Sequence, residues 1–397
     1  MHRPKYGPAQ NSAKIIFALV LLFCVGSCGK QDISAVGPSP PSAPLNADGW
    51  IQDDSYYEET VHYGTTRFDR LREAHVVLDS RDNENIRRLN TGNNKPSESI
   101  KYGTVKVIIP FQKKTGGTEG MSVSELNHDI GWTQFFGGIS SNKLVVFVHG
   151  YNTSFTDAAI RAAQMAHDTN FQGEPVLYSW PTTTSLVDYK GDKDRAKENF
   201  TSLARFLLKL AEESDHEINI IAHSMGGYIL VHALEKIDEW KETDEFNVEA
   251  ISNRRDGRLF DQVILASPDI SITDFEEVIT SHDITKYSSR MTLYSTHNDK
   301  VLGASRLVNV FLEGSGEARL GSSAKAFEVV TGVDTIDARQ EIPLQFFGHS
   351  FYAEHLTLVS DIHSILNYGV KPDERMLQKV RDHKNQELWF IREAEEK

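Results

Sequence analysis

The chain has 397 residues, of which 39% are hydrophobic, and its formal net charge is −14. That length and apolar content are sufficient for a buried core, which excludes a wholly disordered chain. The negative charge repels a phosphate backbone and argues against a nucleic-acid partner. The sequence has no cysteine and histidine spacing typical of a zinc site, so we predict no metal.

The first 27 residues have the pattern of a signal peptide. Arg3, Lys5 and Lys14 precede an apolar stretch over residues 15–25, which is short for a membrane span. Residues 25–28 (Val-Gly-Ser-Cys) resemble the lipobox of bacterial lipoproteins, which implies export, lipidation of Cys28 and anchoring to the cell envelope. By the same resemblance, the glycine after Cys28 favours the outer membrane, facing the periplasm. An ordinary signal peptide and an uncleaved anchor helix are the alternatives.

Residues 28–57 are rich in proline and serine, which predicts an extended tether between the membrane and a globular domain. We predict a single domain over residues 58–397. From residue 143 onwards, apolar runs typical of buried strands alternate with segments of helical periodicity. This alternation predicts an α/β fold, with a mostly parallel central sheet and helices on both faces.

Hydrophobic periodicity and turn residues give the predicted elements. Strands are predicted at residues 60–65, 102–110, 143–148, 175–180, 218–222, 262–266 and 291–295. Helices are predicted at residues 156–169, 194–214, 228–237 and 373–396. The polar segment 182–193 predicts a loop, and a lid over a site is the less favoured interpretation.

The strongest functional signal is the turn between strand 218–222 and helix 228–237. Residues 222–227 read Ala-His-Ser-Met-Gly-Gly, so Ser224 lies where a parallel strand turns sharply into a helix. Such an elbow presents the hydroxyl at the carboxyl edge of the sheet and needs small neighbours, because strand and helix pass close together. We predict that Ser224 is a catalytic nucleophile; a serine that only caps the helix is the alternative. Ala222 replaces the usual glycine of this elbow and still meets the steric demand.

A second signal follows strand 143–148, where residues 149–152 read His-Gly-Tyr-Asn. Attack by serine creates an oxyanion that needs two N–H donors, one after the nucleophile and one in the loop after an earlier strand. We predict that Met225 and Tyr151 form this oxyanion hole, with Asn152 as the alternative to Tyr151. A plain turn is the competing interpretation of the loop, and His149 is expected to be structural.

A catalytic acid and a base are expected after later strands, in the order serine, acid, histidine. Asp299 is the predicted acid, and Asp269, which follows the preceding strand, is its rival. His349 lies in a loop after an apolar run and is the predicted base, whereas His355 and His363 lie in helical segments. Such a triad activates serine for acyl transfer without a metal or a cofactor.

Several short runs together resemble a bacterial family of α/β hydrolases of unknown function, DUF900. The runs are residues 61–67 (VHYGTTR), 102–110 (YGTVKVIIP), 147–152 (FVHGYN), 178–181 (YSWP), 222–226 (AHSMG), 267–269 (SPD), 298–299 (ND) and 348–350 (GHS). They extend from about residue 58 to residue 366. The resemblance implies a serine hydrolase with esterase-like or lipase-like activity, and it implies no particular substrate.

The sequence therefore predicts a carboxylic-ester hydrolase that acts in the cell envelope on a small-molecule or lipid ester. An amidase, a peptidase or a thioesterase would use the same triad, so these activities stay open. A non-catalytic envelope protein that binds a partner on the same fold is the alternative from a different class.

Overall fold

The structure is a computed structural model that covers the predicted domain in separate segments. It describes residues 56–67, 75–77, 90, 97, 99–111, 117–183, 188–213, 215–241, 243, 254, 257–295, 320, 329–338, 352–381 and 385–391, with the backbone alone at 75–77 and 352–356. The predicted signal peptide, Cys28, nearly all of the tether, Asp299 and His349 lie outside the described residues. Within these segments, no helix has the length and apolar character that crossing a bilayer requires.

Twelve strands in the described segments form one mixed sheet. They are β1 (Tyr56–Thr65), β2 (His75–Val77), β3 (Lys101–Pro110), β4 (Ser122–Ile130), β5 (Lys143–Val148), β6 (Glu174–Ser179), β7 (Glu217–His223), β8 (Phe260–Ala266), β9 (Ser288–Ser295), β10 (Val333–Asp337), β11 (Leu377–Arg381) and β12 (Glu387–Ile391). Their order across the sheet is β11-β12-β10-β9-β8-β7-β5-β6-β1-β3-β4-β2. The strands from β12 to β1 run parallel, and antiparallel strands flank them on both sides.

Helices cover both faces of this sheet. The α-helices of the described segments are α1 (Trp132–Gly137), α2 (Phe155–Asp168), α3 (Tyr189–Glu198), α4 (Phe200–Glu212), α5 (Met225–Trp240), α6 (Ile272–His282) and α7 (Tyr352–Tyr368). One apolar cluster contains Leu207 of α4, and a second contains Ala159 of α2. Neighbouring residues of β5 enter opposite clusters, Val146 the first and Val145 the second, so this strand is buried on both faces. The predicted mostly parallel α/β architecture is confirmed.

The long helix predicted at 194–214 is wrong in detail, because the structure has α3 and α4 with a break at Asn199. The Asn199 side chain is fully buried, and its Nδ2 donates to the carbonyl of Arg195 (2.8 Å). Its Oδ1 accepts hydrogen bonds from Thr66 (2.5 Å) and Tyr178 (3.1 Å). An asparagine amide that competes with the backbone in this way interrupts the helical ladder. The predicted loop 182–193 also ends early, since α3 begins at Tyr189.

The C-terminal helix predicted at 373–396 is wrong. The chain instead forms a short 3₁₀ turn at Pro372–Glu374 and the antiparallel pair β11 and β12. The charged residues that favour a solvated helix pair across this hairpin, where Glu387 bridges Lys379 (2.6 Å) and Arg381 (3.2 Å). Trp389 enters the second apolar cluster, and its neighbours Leu388 and Phe390 are buried as well, so burial in the sheet decides in favour of a strand.

Candidate active site

Ser224 lies in the turn that joins β7 to α5, at the carboxyl edge of the parallel strands. Its φ and ψ are 53° and −122°, a strained conformation that L-residues rarely adopt. Four backbone hydrogen bonds hold the turn. Ser224 N–H donates to Ala266 C=O (3.0 Å), and Ser224 C=O accepts from the N–H groups of Gly227 (2.9 Å), Tyr228 (3.4 Å) and Asp269 (3.0 Å). The Ser224 side chain makes no capping hydrogen bond to α5. The interpretation of Ser224 as a simple helix cap is therefore wrong, and the geometry is that of a nucleophile elbow.

Small residues let β7 and α5 approach each other and the neighbouring loops. A methyl group on Gly226 would lie 2.4 Å from Val148 O and 2.5 Å from His149 O. On Gly227 it would lie 2.7 Å from Pro268 Cβ. Ala222, at the position where such elbows usually have glycine, is fully buried in the core and fits there. The departure at Ala222 therefore leaves the elbow intact.

Gly226→Ala is expected to destabilise the protein by about 1–3 kcal/mol and to lower any activity of this site. The clashing partners of the new methyl group are backbone carbonyls, so α5 must move away from β5 and carry Ser224 with it. Thermal unfolding of the variant measures the effect. Gly131→Ala is the matched control, because its methyl group meets nothing within 4 Å and its φ of −66° suits alanine. Equal stability of the two variants would contradict the packing argument.

The loop after β5 lies directly against Ser224. A methyl group on Gly150 would lie 3.0 Å from Ser224 Cβ and 2.9 Å from His223 Nδ1, so only glycine allows this approach. The loop therefore places Tyr151 beside the elbow. Met225 is the first residue of α5, and the N–H groups of a helical first turn have no intrahelical carbonyl to bind. Both predicted oxyanion donors thus come from segments that border Ser224.

His149 is structural, as its position in the sequence predicts. Its ring stacks on Trp180 with centroids 5.3 Å apart, and its Nδ1 lies 2.9 Å from Gly150 O. Nε2 accepts from Trp180 N–H (3.2 Å) and lies 3.3 Å from the Arg67 guanidinium. Burial lowers the pKa of His149 well below its usual range, and the Arg67 charge lowers it further. The buried imidazole engages protein groups through both ring nitrogens, so it is not available as the proton acceptor for Ser224.

Asp192 accepts a hydrogen bond from the N–H of Asn152, the alternative to Tyr151 as an oxyanion donor. This carboxylate is fully buried, and its Oδ1 accepts from Thr183 N–H (2.8 Å) and Arg195 Nε (3.0 Å). Burial raises the pKa of Asp192, and hydrogen bonds from Thr183, Arg195 and the Asn152 N–H oppose that rise. Because Asn152 N–H is directed at a carboxylate, Tyr151 is better suited to bind an oxyanion.

Asp269, the rival for the acid, lies next to the elbow. Its N–H donates to Ser224 C=O, and its Oδ2 accepts a short hydrogen bond from the Tyr189 hydroxyl. The Tyr189 ring packs edge-on against Tyr151, with centroids 5.5 Å apart. Asp269 therefore supports the backbone of Ser224 and anchors the start of α3, whatever its part in the chemistry.

The predicted acid and base lie outside the described residues, so Asp299 and His349 stay predictions. Asp299 is four residues past the end of β9, and His349 follows β10 along the chain. These two strands run parallel to β7, so their carboxyl ends share the edge that carries Ser224. His355 is in α7, where the backbone alone is described. His363 packs with Nδ1 2.5 Å from Thr169 O, at the opposite edge of the sheet.

Two residues of the site carry no clear signal in the sequence. Arg67 stands in the 61–67 run, which carries the family resemblance without indicating a chemical role. Its partners come from the loop after β5 and from the last residue of β6, which only the fold brings together. Asp192 stands in a polar segment that resembles an ordinary loop. The sequence alone does not show that these two charged residues are buried, because their burial depends on distant segments of the fold.

Comparison with known proteins agrees with this fold. Residues 134–366, more than half of the chain, match the family model described as alpha/beta hydrolase of unknown function (DUF900). The uncharacterized protein alr1448 of Nostoc sp. is 27% identical over 138 residues, an alignment that covers 28% of this chain. The chain spans 36% of the length of that relative.

Solved structures show a more distant likeness. An inhibited esterase B from Lactobacillus rhamnosis has a TM-score of 0.32 and 11% identity, over 89% of this chain and 96% of that chain. A putative hydrolase from Agrobacterium vitis S4 has a TM-score of 0.26 and 12% identity, over 64% of this chain and 89% of that chain.

Proposed function

Because the chain belongs to the alpha/beta hydrolases of unknown function (DUF900), we propose that it hydrolyses carboxylic esters through an acyl-enzyme at Ser224. The observation that supports this most strongly is the strained backbone of Ser224, with φ 53° and ψ −122°. A fold that keeps a serine in such a conformation, with no capping bond for its hydroxyl, favours a nucleophile over a structural residue.

In the proposed reaction, His349 accepts the proton of Ser224 as Oγ attacks the ester carbonyl. Asp299 holds the histidine tautomer and stabilises the imidazolium. The N–H groups of Tyr151 and Met225 bind the oxyanion of the tetrahedral intermediate. The intermediate collapses as His349 returns its proton to the leaving alcohol. Water then attacks the acyl-enzyme by the same route, which frees the acid and restores Ser224.

The surroundings of Ser224 favour an apolar acyl group. Tyr151 and Tyr189 pack ring to ring next to the elbow, and Tyr189 is 8% exposed. Aromatic faces of this kind bury hydrocarbon favourably. We therefore propose a small-molecule or lipid ester with a hydrophobic acyl chain as the substrate.

Hydrolysis of p-nitrophenyl esters of graded acyl length tests this function. We expect turnover of the esters, with kcat/KM rising as the acyl chain lengthens from acetate towards medium chains. Matched p-nitroanilides and thioesters of the same acyl groups compare the competing leaving groups. Faster cleavage of the anilide or the thioester would reassign the enzyme to the amidases or thioesterases. No turnover of any acyl substrate by folded protein would contradict the proposal.

We further propose that the enzyme acts in the bacterial envelope, held there by a lipid on Cys28. Cys28→Ala is expected to abolish incorporation of a labelled fatty acid and to release the protein from the membrane fraction. Cys24→Ala is the matched control, because this cysteine lies within the predicted signal peptide and is expected to leave labelling unchanged. Labelled Cys28→Ala protein would contradict lipidation at this residue.

A further inference from the structure

We propose that Arg67, His149 and Trp180 form a buried positioning device that fixes the Tyr151 N–H as an oxyanion donor. This inference rests on the proposed function, since it concerns how the same site stabilises its intermediate. All three side chains are at most 3% exposed, so none of them contacts substrate. They act through the backbone of the loop after β5.

Peptide geometry links His149 to the Tyr151 N–H. In a planar trans peptide, the C=O of one residue and the N–H of the next point in opposite directions. Gly150 C=O lies 2.9 Å from His149 Nδ1. The bond between these groups therefore orients the whole Gly150–Tyr151 peptide and turns the Tyr151 N–H away from the imidazole. Without this bond, the glycine would leave the peptide free to rotate.

The bond requires a proton on Nδ1, and the neighbours of Nε2 enforce that tautomer. Trp180 N–H donates to Nε2 (3.2 Å), and Arg67 Nη2 lies 3.3 Å from the same nitrogen. Because both neighbours are donors, Nε2 must be the unprotonated acceptor, and the single ring proton is on Nδ1. Trp180 also donates through its indole N–H to His149 C=O (2.8 Å), which holds the peptide before Gly150 as well.

Arg67 contacts both ends of the loop after β5, at His149 and at Thr153. The nitrogen that faces His149 also donates to Thr153 C=O (2.7 Å), and Nε donates to Ser179 Oγ (2.7 Å) at the end of β6. One guanidinium thus spans the oxyanion loop and joins it to the neighbouring strand. Its direct partners are carbonyl, hydroxyl and imidazole groups. Burial lowers the pKa of Arg67, and the nearby carboxylates of Asp192 and Asp157 oppose that change, so they offset part of the cost of burying the cation. The direct bonds of Arg67 go to the loop and to the end of β6, which is the arrangement that a positioning role requires.

Arg67→Met tests the device. We expect kcat for a p-nitrophenyl ester to fall by about 10²-fold, near the lower end of the effect of losing one oxyanion donor. KM should change little, because the oxyanion forms only after binding. Arg67→Lys should lower kcat by an intermediate factor. A lysine ammonium can bind one of the groups that the arginine guanidinium contacts, but not all of them. Inactivation by a fluorophosphonate passes through a similar charged state and should slow in parallel with kcat.

Two variants of His149 separate the effect of its hydrogen bond to Gly150 C=O from the effect of filling the space of the imidazole ring. An asparagine amide N–H reaches the place of Nδ1, whereas a glutamine amide reaches that of Nε2. We expect His149→Asn to keep more of the wild-type kcat than His149→Gln, because only the first can donate to Gly150 C=O. Nitrogen-15 NMR of the wild-type protein should show a His149 imidazole protonated at Nδ1 alone.

Arg254→Met is the matched control for loss of a buried guanidinium. Arg254 is also buried and donates to backbone carbonyls, those of Ala211 (2.7 Å) and His216 (2.7 Å), but at the opposite edge of the sheet. Arg254→Met should lower the thermal midpoint and leave the kcat of the folded protein unchanged. Equal kcat losses in Arg67→Met and Arg254→Met, or a loss confined to KM, would overturn the inference. Inactive, unlabelled wild-type protein would instead overturn the proposed function.

Discussion

Ser224→Ala is expected to lower kcat for a p-nitrophenyl ester by about 10⁴- to 10⁶-fold, the usual result of losing a triad nucleophile. KM should stay near the wild-type value, because the hydroxyl contributes to the transition state rather than to ground-state binding. Alanine, like serine, has a Cβ, so the strain at φ 53° is the same for both residues. Since the serine hydroxyl makes no capping bond, the thermal midpoint should also be unchanged. Steady-state kinetics and thermal unfolding of the same preparations measure these effects.

Ser364→Ala is the control for the loss of a serine hydroxyl. This side chain lies on α7 and, among the residues that the structure describes, donates to Ser360 C=O (2.9 Å). The control should retain wild-type kcat. A Ser224→Ala variant that hydrolyses the ester at the wild-type rate would show that the nucleophile is another residue or that the activity belongs to a contaminant.

Asp299→Asn is expected to lower kcat by about 10⁴-fold, because an amide stabilises the wrong histidine tautomer and cannot stabilise the imidazolium. Asp269→Asn should cost much less. The Tyr189 hydroxyl can donate to an amide oxygen as it donates to Asp269 Oδ2, and the backbone bond to Ser224 C=O is unaffected. Kinetics of the two variants at equal folded concentration decide which carboxylate is the acid.

His349→Gln completes this comparison and should lose activity to the same extent as Ser224→Ala, because the two residues act as a unit. His363→Gln is its control, since His363 packs against Thr169 at the far edge of the sheet. The reverse order of the aspartate variants would assign the acid to Asp269. A fully active His349→Gln variant would contradict the choice of base.

Much of the fold follows from local pattern. The strand predicted at 143–148 coincides with β5, because every residue from Leu144 onwards enters one of the two apolar clusters. A strand that is buried on both faces has a continuous run of apolar residues instead of alternating polar and apolar residues, and residues 143–148 show such a run. The break at Asn199 lacks a comparable signal, because the partner that anchors its amide, Thr66, is 133 residues away. The helix predicted at 373–396 is wrong because the ion pairs of the C-terminal hairpin form between strands, and the sequence shows only the charges.

Part of the candidate site can also be predicted from local sequence, and part of it cannot. The elbow at Ser224 is predictable, because a short local motif determines a strand, a sharp turn and a helix. The device that orients the loop is not, since Arg67, His149 and Trp180 follow three different strands and meet only where β1, β5 and β6 lie side by side. Local sequence therefore predicts which group reacts, and the three-dimensional arrangement shows how its neighbours are held.

Intact-mass spectrometry of the wild-type protein treated with a fluorophosphonate tests the central claim most directly. We predict a single stoichiometric adduct that is absent in Ser224→Ala and that peptide mapping places on Ser224. Labelling of a different residue, or no adduct on folded wild-type protein, would contradict the assignment of Ser224 as the nucleophile.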